Sequence, residues 1–110
     1  MNRLYLNIGL WHAGTKDEML VHHALAQVEA TAGFEVRRIA LVRVRDEEPS
    51  LVVECETHCN QRNAETLVWV AAQALKQDCI AVWWPEHGGK LIGPKAANWG
   101  AFDQSKFHFL

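Results

Sequence analysis

Between Leu4 and Trp11 the residues Leu4, Leu6, Ile8 and Leu10 take every second position, with Tyr5, Asn7, Gly9 and Trp11 between them. Successive side chains of an extended chain point to opposite faces, so a period of two predicts a strand with one apolar face. Three further segments read as extended. Residues 34–45 place Phe34, Val36, Arg38, Ala40, Val42 and Val44 on one side and Arg37, Ile39, Leu41, Arg43 and Arg45 on the other. Residues 51–57 turn Leu51, Val53 and Cys55 inward and Glu54 and Glu56 outward, and residues 79–84 form a fourth strand. Apolar residues stand on both sides of these strands. A sheet made from them has two faces to cover, and that requirement restricts the fold more than any other feature.

Two segments follow the helical period. Thr15-Lys16-Asp17-Glu18 is a capping box, in which the Thr15 hydroxyl accepts from the amide of residue 18 and Glu18 reaches back to the amide of Thr15. Val21, Ala24, Leu25, Val28 and Ala32 then share one stripe, and Gly33 sits where a left-handed C-terminal turn is expected. Asn60 or Asn63 caps a second helix running to about Gln77. Its stretch Leu67–Ala72 is apolar almost all round, which predicts cover on more than one side.

Residues 46–50 are polar and close a hairpin between the second and third strands. Glu86-His87-Gly88-Gly89-Lys90 predicts a tight turn, because paired glycines supply positive φ, with Leu91-Ile92 as a short return strand. From Gly93 onward Trp99, Phe102, Phe107 and Phe109 make an aromatic tail, too apolar to hang in water. The chain therefore divides into a core, 1–92, and a docking tail, 93–110.

The order strand, helix, strand, strand, helix, strand predicts an α+β chain with a ferredoxin-like βαββαβ two-layer sandwich. Its four-stranded antiparallel sheet has the order 4-1-3-2, and both helices lie on one face. That face receives Leu4, Leu6, Ile8, Phe34, Val36, Val42, Val53, Ile80 and Val82. The opposite face collects Tyr5, Trp11, Arg37, Ile39, Leu41, Arg43, Val52, Glu54 and Trp83, and is too apolar to be merely solvated. Three covers suit it: a second copy of the chain, the aromatic tail, or a single-stranded nucleic acid. The nucleic acid would stack on Tyr5, Trp11 and Trp83, with Arg37 and Arg43 at its phosphates.

The 110 residues suit one domain, and 49% hydrophobic with 22% charged residues describes a globular chain. A net charge of -2 argues against nonspecific nucleic-acid binding, which needs a basic surface. No run approaches the roughly 18 apolar residues of a membrane span. The start, Met1-Asn2-Arg3-Leu4, lacks the features of a signal peptide. Cys55, Cys59 and Cys79 read as free thiols in a reducing compartment, and the expected location is the cytoplasm.

Cys55-Glu56-Thr57-His58-Cys59 is the sharpest chemical cluster, since two thiolates and an imidazole are good zinc ligands and His87 would make a fourth. Against this, Cys55 falls on the inward face and no second C-x-x-C exists, so a core thiol and a loop histidine explain the cluster without metal. His22 and His23 diverge by about 100° around a helix and do not share a site. His12 with Asp17 or Glu18 would make an acid-base pair in a loop. His87-Gly88-Gly89-Lys90 lacks the helix and the Ser/Thr of a phosphate loop. No spacing points to a catalytic nucleophile, and no cofactor is expected.

Leu4-Tyr5-Leu6-Asn7-Ile8-Gly9-Leu10, Asp78-Cys79-Ile80-Ala81-Val82, Leu91-Ile92-Gly93-Pro94 and Trp99-Gly100-Ala101-Phe102 together resemble small bacterial proteins carried on plasmids, phages and other mobile DNA. The resemblance implies an accessory role and brings no functional residues with it. The expected function is a non-enzymatic binding module, a homodimer or the partner of another protein, acting through the open sheet face or the tail. The alternative is a small enzyme or ligand-binding protein of the dimeric α/β-barrel kind, with His12, Trp11, Tyr5 and Trp83 around a pocket. Single-stranded nucleic-acid binding ranks third.

Overall fold

The computed structural model describes residues 1–9, 17–30, 32–42 and 50–107. The capping box at Thr15, the loop with Trp11 and His12, Arg43 and the polar turn lie outside the described residues, as do the side chains of Asp17, Glu18 and Val21. The elements in chain order are β1 (Asn2–Gly9), α1 (Asp17–Ala30), β2 (Glu35–Val42), β3 (Ser50–Thr57), α2 (Gln61–Ala74), β4 (Ile80–Trp84) and β5 (Gly88–Ile92). Two single 3-10 turns follow, Ala96–Asn98 and Gln104–Lys106.

The sheet corrects the ferredoxin-like expectation. It has five strands in the order β2-β3-β1-β4-β5, every neighbour antiparallel. The expected hairpin return at Leu91-Ile92 is a full strand of the sheet and not a two-residue addition to four strands. β5 pairs with β4 along its whole length, from Trp84↔Gly88 to Ile80↔Ile92. The connection is the three residues Pro85–His87, closed by the His87 N–H donating to the Trp84 carbonyl at 3.1 Å. Of the two glycines only Gly88 takes positive φ, 81°.

Leu4, Leu6 and Ile8 of β1, Leu51, Val53 and Cys55 of β3, and Ile80, Val82 and Trp84 of β4 form one core with the helices. From α1 come Ala24 and Val28, and from α2 Ala64, Val68, Ala71 and Ala72. The second helix starts as predicted: the Asn60 side chain accepts from the Asn63 N–H at 2.9 Å. It is not covered on a second side, however, because Trp69 and Val70 are each 39% exposed. Gly33, at φ 65°, lets the chain leave α1 for β2.

A bulge in β2 overturns the predicted facing of that strand. Val36 stands opposite Cys55, yet Arg38, not Arg37, stands opposite Glu54, so one residue is extra. Opposed residues of an antiparallel pair point to the same face, and an extra residue inverts every position after it. Ile39 and Leu41 therefore share the helix-bearing side with Val53 and Leu51, while Arg38, Ala40 and Val42 lie on the opposite, outer side. No described helix is long and apolar enough to cross a membrane.

Candidate functional site

The outer face carries an aromatic row. Tyr5 and Trp83 are cross-strand partners with ring centroids 5.0 Å apart. Phe107 from the tail lies 6.2 Å from Trp83 and 5.5 Å from Phe102. Phe102 in turn sits on Gly89, the β5 partner of Trp83, where a Cβ would fall within the phenyl ring. Gly89 thus serves this packing and not the turn. Phe107, between Trp83 and Phe102 in the row, is 3% exposed.

The tail is brought there by Asp78. Its carbonyl accepts the Lys95 N–H at 2.9 Å, and its carboxylate accepts the Trp99 indole N–H at 2.9 Å. A side chain on Gly93 would strike the Asp78 carbonyl and Cys79 Cα, so the close approach requires glycine. Val52, also on the outer face, is wholly buried. The face read from sequence as open is therefore occupied at Trp83 and closed at Val52.

Beside the aromatic row runs a ladder of charges. Arg37 donates to Glu56 at 3.0 Å and pairs with Glu35 at 3.2 Å, while Arg3 stands 3.8 Å from Glu56. Arg38 donates to Glu54 at 3.3 Å, and the Tyr5 hydroxyl donates to the same carboxylate at 2.9 Å. Burial, with this hydrogen bond to Glu54 next, pushes the Tyr5 hydroxyl above its ordinary range. The Glu56 hydrogen bond and then the Glu35 charge raise Arg37 further. These arginines are held by carboxylates, so the phosphate contacts imagined for Arg37 would have to displace Glu35 and Glu56.

At the sheet's edge the bulge has another effect. Ile39 is 46% and Leu41 62% exposed, the pair lying on β2, the outermost strand of the sheet among the described residues. Of the residues expected to form one binding face, the structure thus keeps Tyr5, Arg37, Val52 and Trp83 on the outer side and moves Ile39 and Leu41 to the other. Trp11 and Arg43 are among those not described.

The zinc set does not assemble. Cys55 is buried on the helix side, Cys59 is half-buried, and His58 and His87 are exposed. Among the described residues no three His, Cys, Asp or Glu side chains converge. Burial, with the charges of Glu54 and Glu29 adding to it, pushes the Cys55 thiol up to about 12. Burial, then Asp78, raises Cys79 as well.

No protein-family profile matches the chain, and no curated protein is significantly similar to it.

One feature escaped the sequence reading. Asn2, Arg3, Gln61 and the residues Trp84–His87 line a surface cleft of about 300 Å³. They come from the start of β1, the start of α2 and the β4–β5 turn. No motif joins positions so far apart, and only the sheet order brings them together.

Proposed function

We propose that the chain is a binding module acting through protein–protein contact, that its contact surface is the outer edge of β2, and that its first partner is a second copy of itself. The exposure of Ile39 and Leu41 on an edge strand carries this reading. An edge strand offers a row of backbone N–H and C=O groups to any other strand, and natural sheets normally guard it with charge, bulges or a covering loop. In β2 the bulge and the Arg37 and Arg38 ion pairs guard the first half. Ile39-Ala40-Leu41-Val42 has no such protection among the described residues. Two antiparallel copies of β2 centred on Ala40 would set Ile39 opposite the partner's Leu41 and on the same face, so that four apolar side chains cover one another.

A standard interface takes about 800 Å² from each partner, near one eighth of the 6653 Å² surface of this chain. One strand edge supplies less than that, so the expected dimer is weak, with a dissociation constant of about micromolar order. The accessory role implied by the resemblance to mobile-element proteins, and a reducing cytoplasmic setting for three unpaired thiols, are compatible with such a module. Sedimentation equilibrium tests it. The wild type is expected to dimerise at tens of micromolar, and Leu41→Lys to weaken association at least about tenfold with its unfolding midpoint unchanged. A wild type that stays monomeric at these concentrations, or a Leu41→Lys chain that dimerises as well, would refute the edge as the contact.

A further inference from the structure

The tail is joined to the sheet in two different ways. At Lys95 the backbone holds it, through the N–H donated to the Asp78 carbonyl at 2.9 Å. Beyond Lys95 three side chains make the attachment: the Trp99 indole on the Asp78 carboxylate, Phe102 on Gly89 and Phe107 beside Trp83. The Trp99 and Phe107 N–H groups are satisfied within the tail, by the carbonyls of Ala96 and Gln104. Between the indole latch and the ring seats lies Gly100, exposed and with open space around its α-carbon. Trp99 before it is extended, at φ -108° and ψ 161°. The segment after Gly100 therefore leaves the sheet by giving up two ring seats, with no strand pairing broken. The seat itself belongs to the sheet. Gly89 and Trp83 are cross-strand partners, and Tyr5 lies 5.0 Å from Trp83 on the next strand.

We propose that this seat is also an interaction surface for a second copy of the chain. Residues 101–107 exchange between two copies, each setting its Phe102 and Phe107 on the partner's Gly89 and Trp83. An exchanged segment remakes the contacts that it leaves, so the trade costs only the turn at Gly100 and the freedom lost on association. Because each copy gives and receives the same segment, the contact closes as a two-fold dimer. A chain's own tail, tethered beside the seat, competes at an effective concentration of about millimolar order. Folded chains at tens of micromolar thus keep their own tails, and association there reports the β2 edge alone. The exchange uses a different face and does not rest on that edge.

Two full-length chains, both carrying Leu41→Lys to silence the β2 edge, test the exchange. One adds Phe102→Ala and Phe107→Ala, which empties its seat. The other adds Gly89→Val, whose side chain falls where the Phe102 ring sits and leaves that chain's rings without a seat. Gly89 lies outside the left-handed region, so its backbone accepts valine. Sedimentation equilibrium at tens of micromolar is expected to show a heterodimer in the mixture, at least about tenfold tighter than either chain with itself. Adding Phe107→Ala to the Gly89→Val chain should abolish it. A mixture no more associated than its components, or a heterodimer that survives this last change, overturns the exchange. Should circular dichroism show either chain unfolded, the Leu41→Lys chain alone decides the matter. Deuterated ¹⁵N-labelled and unlabelled copies, refolded together at about millimolar concentration, are expected to yield a dimer. In it the labelled Trp83 indole N–H shows a nuclear Overhauser effect from the unlabelled Phe107 ring. No dimer, or a dimer without that effect, overturns the exchange.

Discussion

At Cys55 the alternation of the strand predicts an inward-facing core thiol, and the fold places it there. The thiol lies beneath the helices with no exposed surface, and desolvation disfavours its charged form. The consequence for stability has a definite sign. The thiol ionises near 9.0 in the unfolded chain and only at about 12 in the folded one, so folding holds a proton that the unfolded state releases. The stability tied to this group is complete below pH 9 and is lost as the pH rises toward 12, at up to about 1.4 kcal/mol per pH unit. Urea titrations between pH 7 and 11 are expected to show this decline. Cys55→Ala, less stable at neutral pH because of the cavity it leaves, should decline less steeply. Tyr5 and Cys79, both raised by burial, add to the same alkaline loss.

Among the elements, β2 shows how one extra residue changes what a strand offers. Strict alternation assigns Ile39 and Leu41 to the outer face, but the bulge between Val36 and Arg38 returns them to the helix side. Arg37, the residue before the restored register, reaches Glu56 and Glu35 in the solvent. Deleting Arg37 is therefore expected to straighten β2, leave the facing of residues 38–42 unchanged and alter the unfolding midpoint little. Deleting Val53 from β3 is a contrasting case. That strand pairs on both edges without a bulge toward β1, and a one-residue slip there exchanges the core and outer faces. The Val53 deletion is expected to abolish cooperative unfolding, as circular dichroism melts would show.

Over the whole molecule, the outer face of the sheet is covered from the end of the chain. Phe107 and Phe102 cross β4 and β5 to meet Trp83 and Gly89, so residues far past the last strand belong to the folded unit. Phe107→Ala is expected to cost about 3 kcal/mol in urea unfolding, the usual cost of emptying a buried aromatic site. Gly89→Ala should cost a comparable fraction by lifting Phe102, even though alanine is ordinarily harmless in a strand. Equal stability of both variants with the wild type would mean that the tail does not hold the face.

How much of this was legible beforehand follows from which contacts are local. Alternation in residues 4–9 and 51–57, the Asn60 cap and the left-handed turn at Gly33 depend on near neighbours, and the sequence by itself determined them. It also determined that the sheet would have two apolar sides. The bulge, the fifth strand at full length, the seat of Phe102 on Gly89 and the cleft of Arg3 with Trp84 were decided only in the tertiary structure. Each joins positions tens of residues apart, and neither periodicity nor composition records which distant partner a side chain will meet. Packing and strand register select that partner only once the chain has closed.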